Sequence, residues 1–456
     1  MSVSVCLFTA DLRLHDNPVL RAALRSAERV VPLFVLDEGV RAAGFDAPNR
    51  RAFLADCLAG LDAGLRERGG RLVLRSGEVV AEVCAVADRY GAREVHVAAG
   101  SSAYAQRREE RLGAALARRG RTLRVHDAVV TVVPPGAQVP QGKDHFAVFT
   151  PYFRRWRGTA ARTPLAAPRS VPVPTDIGPP DLPGRAGIAG VSPGLATGGE
   201  REARRHVTSW LRGSLDAYAD RNSDLAADAT SRLSPHLHFG TLSATELVHR
   251  AGDGHPANPG AEAFVRQLAW RDFHQQVLAA RPQAAHTDYR PRHDRWRHDD
   301  AEAQAWRDGR TGYPVIDAAM RQLRHEGWMP GRARMLTASF LTKTLYLDWR
   351  VGARHFLDLL VDGDVANNQL NWQWMAGTGT DTRPNRVLNP TAQARRHDPR
   401  GDYVRRWLPE LAGLEGAAVH EPWKLPPRER ARYDYPAPLI ELPAALARFT
   451  VARGLS

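Results

Sequence analysis

Between Thr163 and Gly199 the chain turns to proline, glycine and small residues (TPLAAPRSVPVPTDIGPPDLPG and onward), a composition that cannot build a packed core and reads as a connector. The fold must therefore be made in two pieces, one on each side. A length of 456 residues agrees, because it exceeds one ordinary domain and can bury a large core without staples. Before residue 130, short β-branched runs (VSVCLF, VVPLFV, RLVLR, EVHVAA, TLRVHD) alternate with amphipathic segments long enough for crossovers. That rhythm predicts a doubly wound parallel α/β sheet. No GxGxxG follows the first run; LFTADLRLHDNP stands there, so a dinucleotide seated by the glycine fingerprint is not expected. Beyond Glu200 the pattern is helical. Tyr313-Pro314 opens a helix reading IDAAMRQLRHEG with Gly327 at its C-cap, and RARMLTASFLTKTLYLDW reads as one more helix. The expected division is an α/β domain over 1–130, a connector over 131–199 and an all-α domain over 200–456.

Three cysteines, Cys6, Cys57 and Cys84, show neither CxxC nor ligand-like spacing, which fits a reducing cytoplasm. The N-terminus has no basic leader, and no stretch approaches a membrane span, so a soluble cytoplasmic protein is expected. A net charge of +13 and pI ≈ 10.2 favour a polyanion partner, nucleic acid first, although only Lys143, Lys343 and Lys424 are lysines and the arginine wealth partly reflects codon usage.

The stretch Asp362 to Trp374 (DGDVANNQLNWQW) packs carboxylates, amides and tryptophans together, as a lined cavity would. At about 3.6 residues per turn, Asp364, Asn368 and Trp372 share one helix face while Trp374 points away. A capped helix end with core tryptophans explains the same letters equally well. TSRLS at 230–234 sets hydroxyls around Arg232 before a helical pattern, which suits either a phosphate seat or an N-cap with a solvated arginine. Nine of eleven tryptophans lie from Trp270 onward, more than packing alone asks of a helical domain. HExxH, GxSxG and P-loop patterns are missing, and His236/His238 has no third ligand nearby, so no metal is expected.

Taken together, DLRLHDNP, TSRLS, LAWRDF, TGYPVIDAAMRQL, GWM, R-x-RM, ASFLTKTLYLDWR, DGD-x-A-x-N, WQW, GTGTD, NP, RRWLPEL and HEPW resemble, in order and spacing, the photolyase and cryptochrome flavoproteins, most closely the bacterial class I photolyases of pyrimidine dimers. The resemblance spans residues 4 to 448. It implies an antenna domain, a helical domain holding FAD, and UV-damaged DNA as partner, with no obligate protein partner and a monomeric state. Carried over position by position, Tyr218 and Thr230, Ser231, Arg232, Leu233 and Ser234 would hold the FAD phosphates. Arg334 and Asp362 would pair beside the isoalloxazine, Gly363 and Asp364 would meet its polar edge, and Asn368 would face N5. An amide there can hydrogen-bond N5–H of reduced FADH⁻ without adding charge. Trp372, Trp349 and Trp296 match the family's electron relay. Gln267, Trp270, Arg271, Gly331, Arg332, Met335 and Trp374 fall on the lesion and DNA side, with Trp270 and Trp374 as aromatic walls. The implied reaction is light-driven repair of cyclobutane pyrimidine dimers, after the dimer has been flipped from the duplex.

Two departures bear on the substrate. Gln267 replaces the usual glutamate, as (6-4) photolyases also do, and Pro330-Gly331 replaces His-Asn. Met335 and the lack of a histidine pair in MPGRARM favour cyclobutane dimers. A (6-4) photolyase and a cryptochrome-type photoreceptor are the alternatives; a light-independent flavin electron carrier lacks a dinucleotide fingerprint for its partner. Tyr104-Ala105 stands where folate-binding members carry Asn-Glu, so 8-hydroxy-deazaflavin is favoured over methenyltetrahydrofolate as antenna, with Arg50 as its contact.

Overall fold

The computed structural model describes residues 1–252 and 258–455. They gather into two compact units. The first comprises Met1–Val191, Ala196–Ala219 and Ser231–Pro282; the second comprises Ser192–Leu195, Asp220–Thr230 and Gln283–Ser456.

In the first unit, β1 (Val3–Leu7), β2 (Arg29–Asp37), β3 (Val73–Gly77), β4 (Glu94–Ala98) and β5 (Thr122–His126) form one parallel sheet in the order β3-β2-β1-β4-β5. The five β-branched runs supply its five strands. Register places Val5 beside Val31 on one side and Val95 on the other. Fully buried valines on both flanks of β1 make this the centre of the core, with Val83, Leu112 and Leu116 from the crossover helices packed against it. The strand order reverses at β1, the place where open α/β sheets bind ligands. Here that turn is filled by its own side chains. Arg13, 1 % exposed, donates to the carbonyls of Asp16 (3.0 Å), Gly240 (2.9 Å) and Val129 (3.1 Å), and Asn17 Nδ2 donates to those of Asp11 and Arg13. DLRLHDNP is thus a clamp.

This unit runs past residue 200, the boundary the composition suggests. The cause is visible on the helix Pro259–Ala280, where fully buried Asp272 accepts from the backbone N–H groups of Val132 (2.9 Å) and Val133 (3.0 Å) and from Trp156 Nε1 (2.9 Å). Burial holds the Asp272 carboxyl up at about 6 despite these donors. Gln276, on the same helix, exchanges hydrogen bonds with the backbone of Phe146.

The second unit is helical. Pro314–Glu326 starts and stops as the sequence predicts, with Gly327 at φ 61 donating its N–H to Leu323 O. Trp306, Ile316, Met320, Phe340, Trp349 and Phe356 fill its core. RARMLTASFLTKTLYLDW, however, is not one helix. Gly331–Ser339 is α-helical, Phe340–Thr344 widens into a π turn with Leu345 N–H on Phe340 O, Tyr346 takes φ 57, and a new helix begins at Trp349. Asp348 caps that helix by accepting from Arg350 N–H. The next helix, Val365–Ala376, is capped by Asp364, which accepts from Asn367 N–H at 2.7 Å, and ends at Gly377.

Candidate functional site

The second unit brings together most of the polar and aromatic residues singled out above. Asn368, 8 % exposed, sits one turn into Val365–Ala376. Its Nδ2 donates to Ala353 O (3.0 Å) and to Gln369 Oε1 (2.9 Å), and Gln369 Nε2 donates in turn to Ala285 O (2.7 Å). With both amide hydrogens so engaged, Oδ1 becomes the acceptor end of Asn368. Arg334 Nη2 pairs with Asp362 Oδ2 at 2.7 Å, Arg334 Nε donates to Met329 O, and Gly363 is buried between the two carboxylates of the motif. Asp362 Oδ1, Thr230 Oγ1 and Arg332 Nε are buried without a hydrogen-bond partner among the described residues. A buried polar atom left alone costs about 1–3 kcal/mol, so three of them on motif residues call for a ligand.

Arg332 Nη2 donates to Ser223 Oγ at 3.2 Å. Burial, then the nearby cations Arg396 and Arg386, lower the Arg332 pKa, and burial with Arg332 and Arg396 holds His397 down at about 4. An anion would relieve this concentration of positive charge. Gly331 is exposed at the head of the same helix, and Met335 and Trp374 are half-buried at the edge of the core.

The three relay candidates differ in depth. Trp372, 2 % exposed, meets Phe356 edge-on at 4.9 Å and Trp306 at 5.9 Å, and a β-carbon at Gly352 would overlap it. Trp349 is fully buried, with Nε1 donating to Asp288 Oδ1 at 2.8 Å and the Arg350 guanidinium 4.6 Å from its ring. Trp296 is partly exposed and lies 4.9 Å from the ring of Tyr346. Trp349 and Trp372 are thus both buried, and Trp296 alone is partly exposed.

In the first unit, the helix Pro259–Ala280 carries Gln267, Trp270 and Arg271. Gln267 is exposed, and Trp270 lies flat on Phe149 with centroids 3.6 Å apart and planes 6° apart. Arg271 turns the other way, its guanidinium bound to the carbonyls of Val130 (2.6 Å) and Leu237 (3.2 Å). Ser231 to Ser234 lead into a short helix, Ser234–His238; Arg232 adopts φ 49, and Ser231 O accepts from His206 Nε2 at 2.8 Å. Tyr218 is buried edge-on against Trp210 and Phe264, which pushes its hydroxyl up to about 12 and keeps it a neutral donor. Arg50 is buried with Nε on Phe45 O, and the Tyr104 hydroxyl donates to Asp37.

Two family models match, DNA photolyase over residues 4–172 and the FAD binding domain of DNA photolyase over residues 264–452. A Streptomyces griseus protein named deoxyribodipyrimidine photo-lyase is 67% identical over 456 residues, 100% of each chain. This chain belongs to the photolyase/cryptochrome family. The structure of a class III photolyase from Agrobacterium tumefaciens superposes on this family member with TM-score 0.93 at 32% identity, covering 100% of this chain and 98% of that one. An archaeal photolyase from Sulfolobus tokodaii, whose structure is described as holding two FAD molecules, gives TM-score 0.85 at 29% identity and covers 100% of both chains.

The residues present fit the cofactor of this family. Thr230 Oγ1 offers a phosphate an unused hydroxyl, Asp362 Oδ1 offers a ring N–H an unused carboxylate oxygen, and Asn368 Oδ1 is oriented as an acceptor. FAD is the cofactor. Among the described residues no group of three or more His, Cys, Asp or Glu is arranged to hold a metal, and no helix is long and apolar enough to cross a membrane. Sequence reasoning missed Phe149, Gln369, Ser223 and the Arg386–Arg396 pair. FTPYF, the amide run NNQ and RVLNP were the visible signals, but none names its partner.

Proposed function

We propose that this photolyase repairs cyclobutane pyrimidine dimers in DNA in a light-driven reaction. The observation that supports it most is the end-to-end identity of 67% with a protein named deoxyribodipyrimidine photo-lyase. When bound, reduced FAD would supply the light-driven one-electron chemistry that opens the cyclobutane ring.

In this reading the side chains bind, orient and exclude. Tyr218 and residues 230–234 hold the FAD phosphates, with the Thr230 hydroxyl as one donor. Arg334, locked by Asp362, presents its charge to the isoalloxazine at a fixed place; Gly363 leaves room and Asp364 caps the helix that carries Asn368. The Asn368 carbonyl, fixed by Ala353 and Gln369, would be the acceptor offered to the bound flavin and so would favour its protonated reduced form. Trp372, Trp349 and Trp296 carry electrons inward to restore that state in light. Trp270 and Trp374 stack on the flipped dimer, Gln267 hydrogen-bonds its bases, Met335 packs on it, and Arg332 takes a phosphate beside Gly331. Arg271 serves the DNA side by bracing Trp270 from its two carbonyls. The antenna over residues 1–130 takes 8-hydroxy-deazaflavin rather than folate, with Arg50 as a contact. The enzyme works as a monomer in the cytoplasm on DNA; Cys6, Cys57 and Cys84 are buried as inert thiols.

Purified protein loaded with reduced FAD should restore thymine dimers in an oligonucleotide under blue light and leave them intact in darkness. Turnover of (6-4) lesions with no action on thymine dimers would overturn the assignment.

A further inference from the structure

Lys343 is one of three lysines among 63 basic side chains, and it stands where a cation is hardest to keep. It lies in the π turn Phe340–Thr344 and is 2 % exposed. Its Nζ donates to Arg386 O at 2.5 Å, the single acceptor it meets among the described residues, although an ammonium has three hydrogens to place. Burial first lowers its pKa, to about 8, with Arg453 and Arg386 adding to that and Asp381 opposing it. A methionine would fill the same space with no charge to desolvate, so packing gives no reason for the ammonium. In a chain that uses arginine almost everywhere else, a compact point charge has been kept here. The π turn is a second irregularity at the same place, and such turns are frequent at functional sites.

What the ammonium holds is a loop. Residues 377–388 follow the helix that carries Trp374 and contain neither helix nor strand. Side chains from elsewhere in the second unit tie them down. Arg292 Nε donates to Gly377 O (3.3 Å), Arg290 Nη1 to Asp381 O (3.3 Å) and Lys343 Nζ to Arg386 O, while Leu388 N–H donates to Ser339 Oγ (3.3 Å). Thr382, Arg383, Asn385 and Arg386 are the exposed residues of its outer stretch. The Arg386 guanidinium is near enough to Arg332 to lower its pKa, and Arg396 is a third cation in the group. Like charges so placed drive one another apart until an anion arrives. Pinning the Arg386 backbone opposes that drift, because it fixes where the side chain emerges.

We propose that Lys343 is a positioning residue for DNA, pinning the Arg386 carbonyl so that the Arg386 guanidinium stays beside Arg332 and both meet the backbone of the damaged strand. The inference rests on the reading of Arg332 as a DNA contact. Lys343 itself, buried beneath the loop, touches no phosphate. Its effect is to arrange the arginines before the DNA arrives, which removes part of the ordering cost from the binding step.

Equilibrium binding of the FAD-loaded protein to a duplex with one thymine dimer, measured in the dark across a range of salt, tests this. Lys343→Met should weaken binding about tenfold near about 0.1 M salt and flatten the slope of log affinity against log salt by about one, the signature of one lost phosphate contact. Its melting temperature should hold or rise, since a desolvated charge has gone, and FAD content should not change. A purely structural lysine would do the reverse, lowering the melting temperature and leaving the slope alone. Arg386→Gln should reproduce both binding changes, and the double variant should bind within about twofold of Arg386→Gln, because the lysine acts through the arginine. A slope retained in Lys343→Met, or losses that add in the double variant, overturns the proposal. Should Lys343→Met not fold, Arg386→Gln decides: a slope flattened by about one upholds the clasp, and an unchanged slope leaves it nothing to position. Wild-type affinity indifferent to salt sinks the DNA reading, and the proposal with it.

Discussion

Two polar clusters rich in motif residues are built in opposite ways. In the first unit, the DLRLHDNP turn is tied into the fold, with Arg13 occupied by three carbonyls and Asn17 by two. In the second, Thr230, Arg332 and Asp362 each keep a buried polar atom without a hydrogen-bond partner among the described residues. The difference separates motifs that build the scaffold from motifs that wait for a ligand, even where both are equally prominent as sequence.

The comparison can be broken most forcefully at Arg13. Arg13→Leu leaves buried Asp11 with only Arg108 as a nearby cation and three carbonyls without the Arg13 donor, and should cost about 3–5 kcal/mol of stability, read by urea unfolding. A loss under about 1 kcal/mol would mean the clamp is not structural. On the ligand side, Trp270→Ala should cost about 1–3 kcal/mol in dimer affinity while FAD is retained, because it removes a stacking face. Equal binding of damaged DNA by wild type and variant would take Trp270 out of the pocket. Gly352→Ala sharpens the contrast within the second unit. Its methyl group meets Trp372 and Leu341, so about 1–3 kcal/mol of overpacking should appear as a lower melting temperature together with slower photoreduction. Normal photoreduction at a lowered melting temperature would separate packing from electron transfer. The smallest change is Gln369→Leu, which frees one hydrogen of the Asn368 amide and should shift the flavin potential by the equivalent of about 1 kcal/mol, with FAD content unchanged. An unaltered potential would show that Ala353 alone orients Asn368.

Much of this architecture could be read from the letters. Five β-branched runs announced five strands, and Tyr313-Pro314 with Gly327 marked both ends of a helix, because local signals decide such elements. The break at Tyr346 could not be read. RARMLTASFLTKTLYLDW has no glycine or proline, and its left-handed tyrosine is enforced by distant groups such as Asp294 and Phe449. The reach of the first unit to Pro282 was hidden for a similar reason, since Asp272 looks like any helix carboxylate until Val132 and Trp156 are brought to it. Family likeness named Trp270 and Asn368. It did not show that Phe149 backs the one and Gln369 orients the other, as side-chain partners of this kind depend on packing and leave no spacing rule.

The flat pairing of Phe149 with Trp270 has one more consequence. An indole already laid on a benzene ring has surrendered its rotational freedom before any guest arrives, and only its outer side remains to be covered. A base that settled there would join a column begun in advance, so the cost of association would fall on the DNA distortion rather than on freezing the receptor.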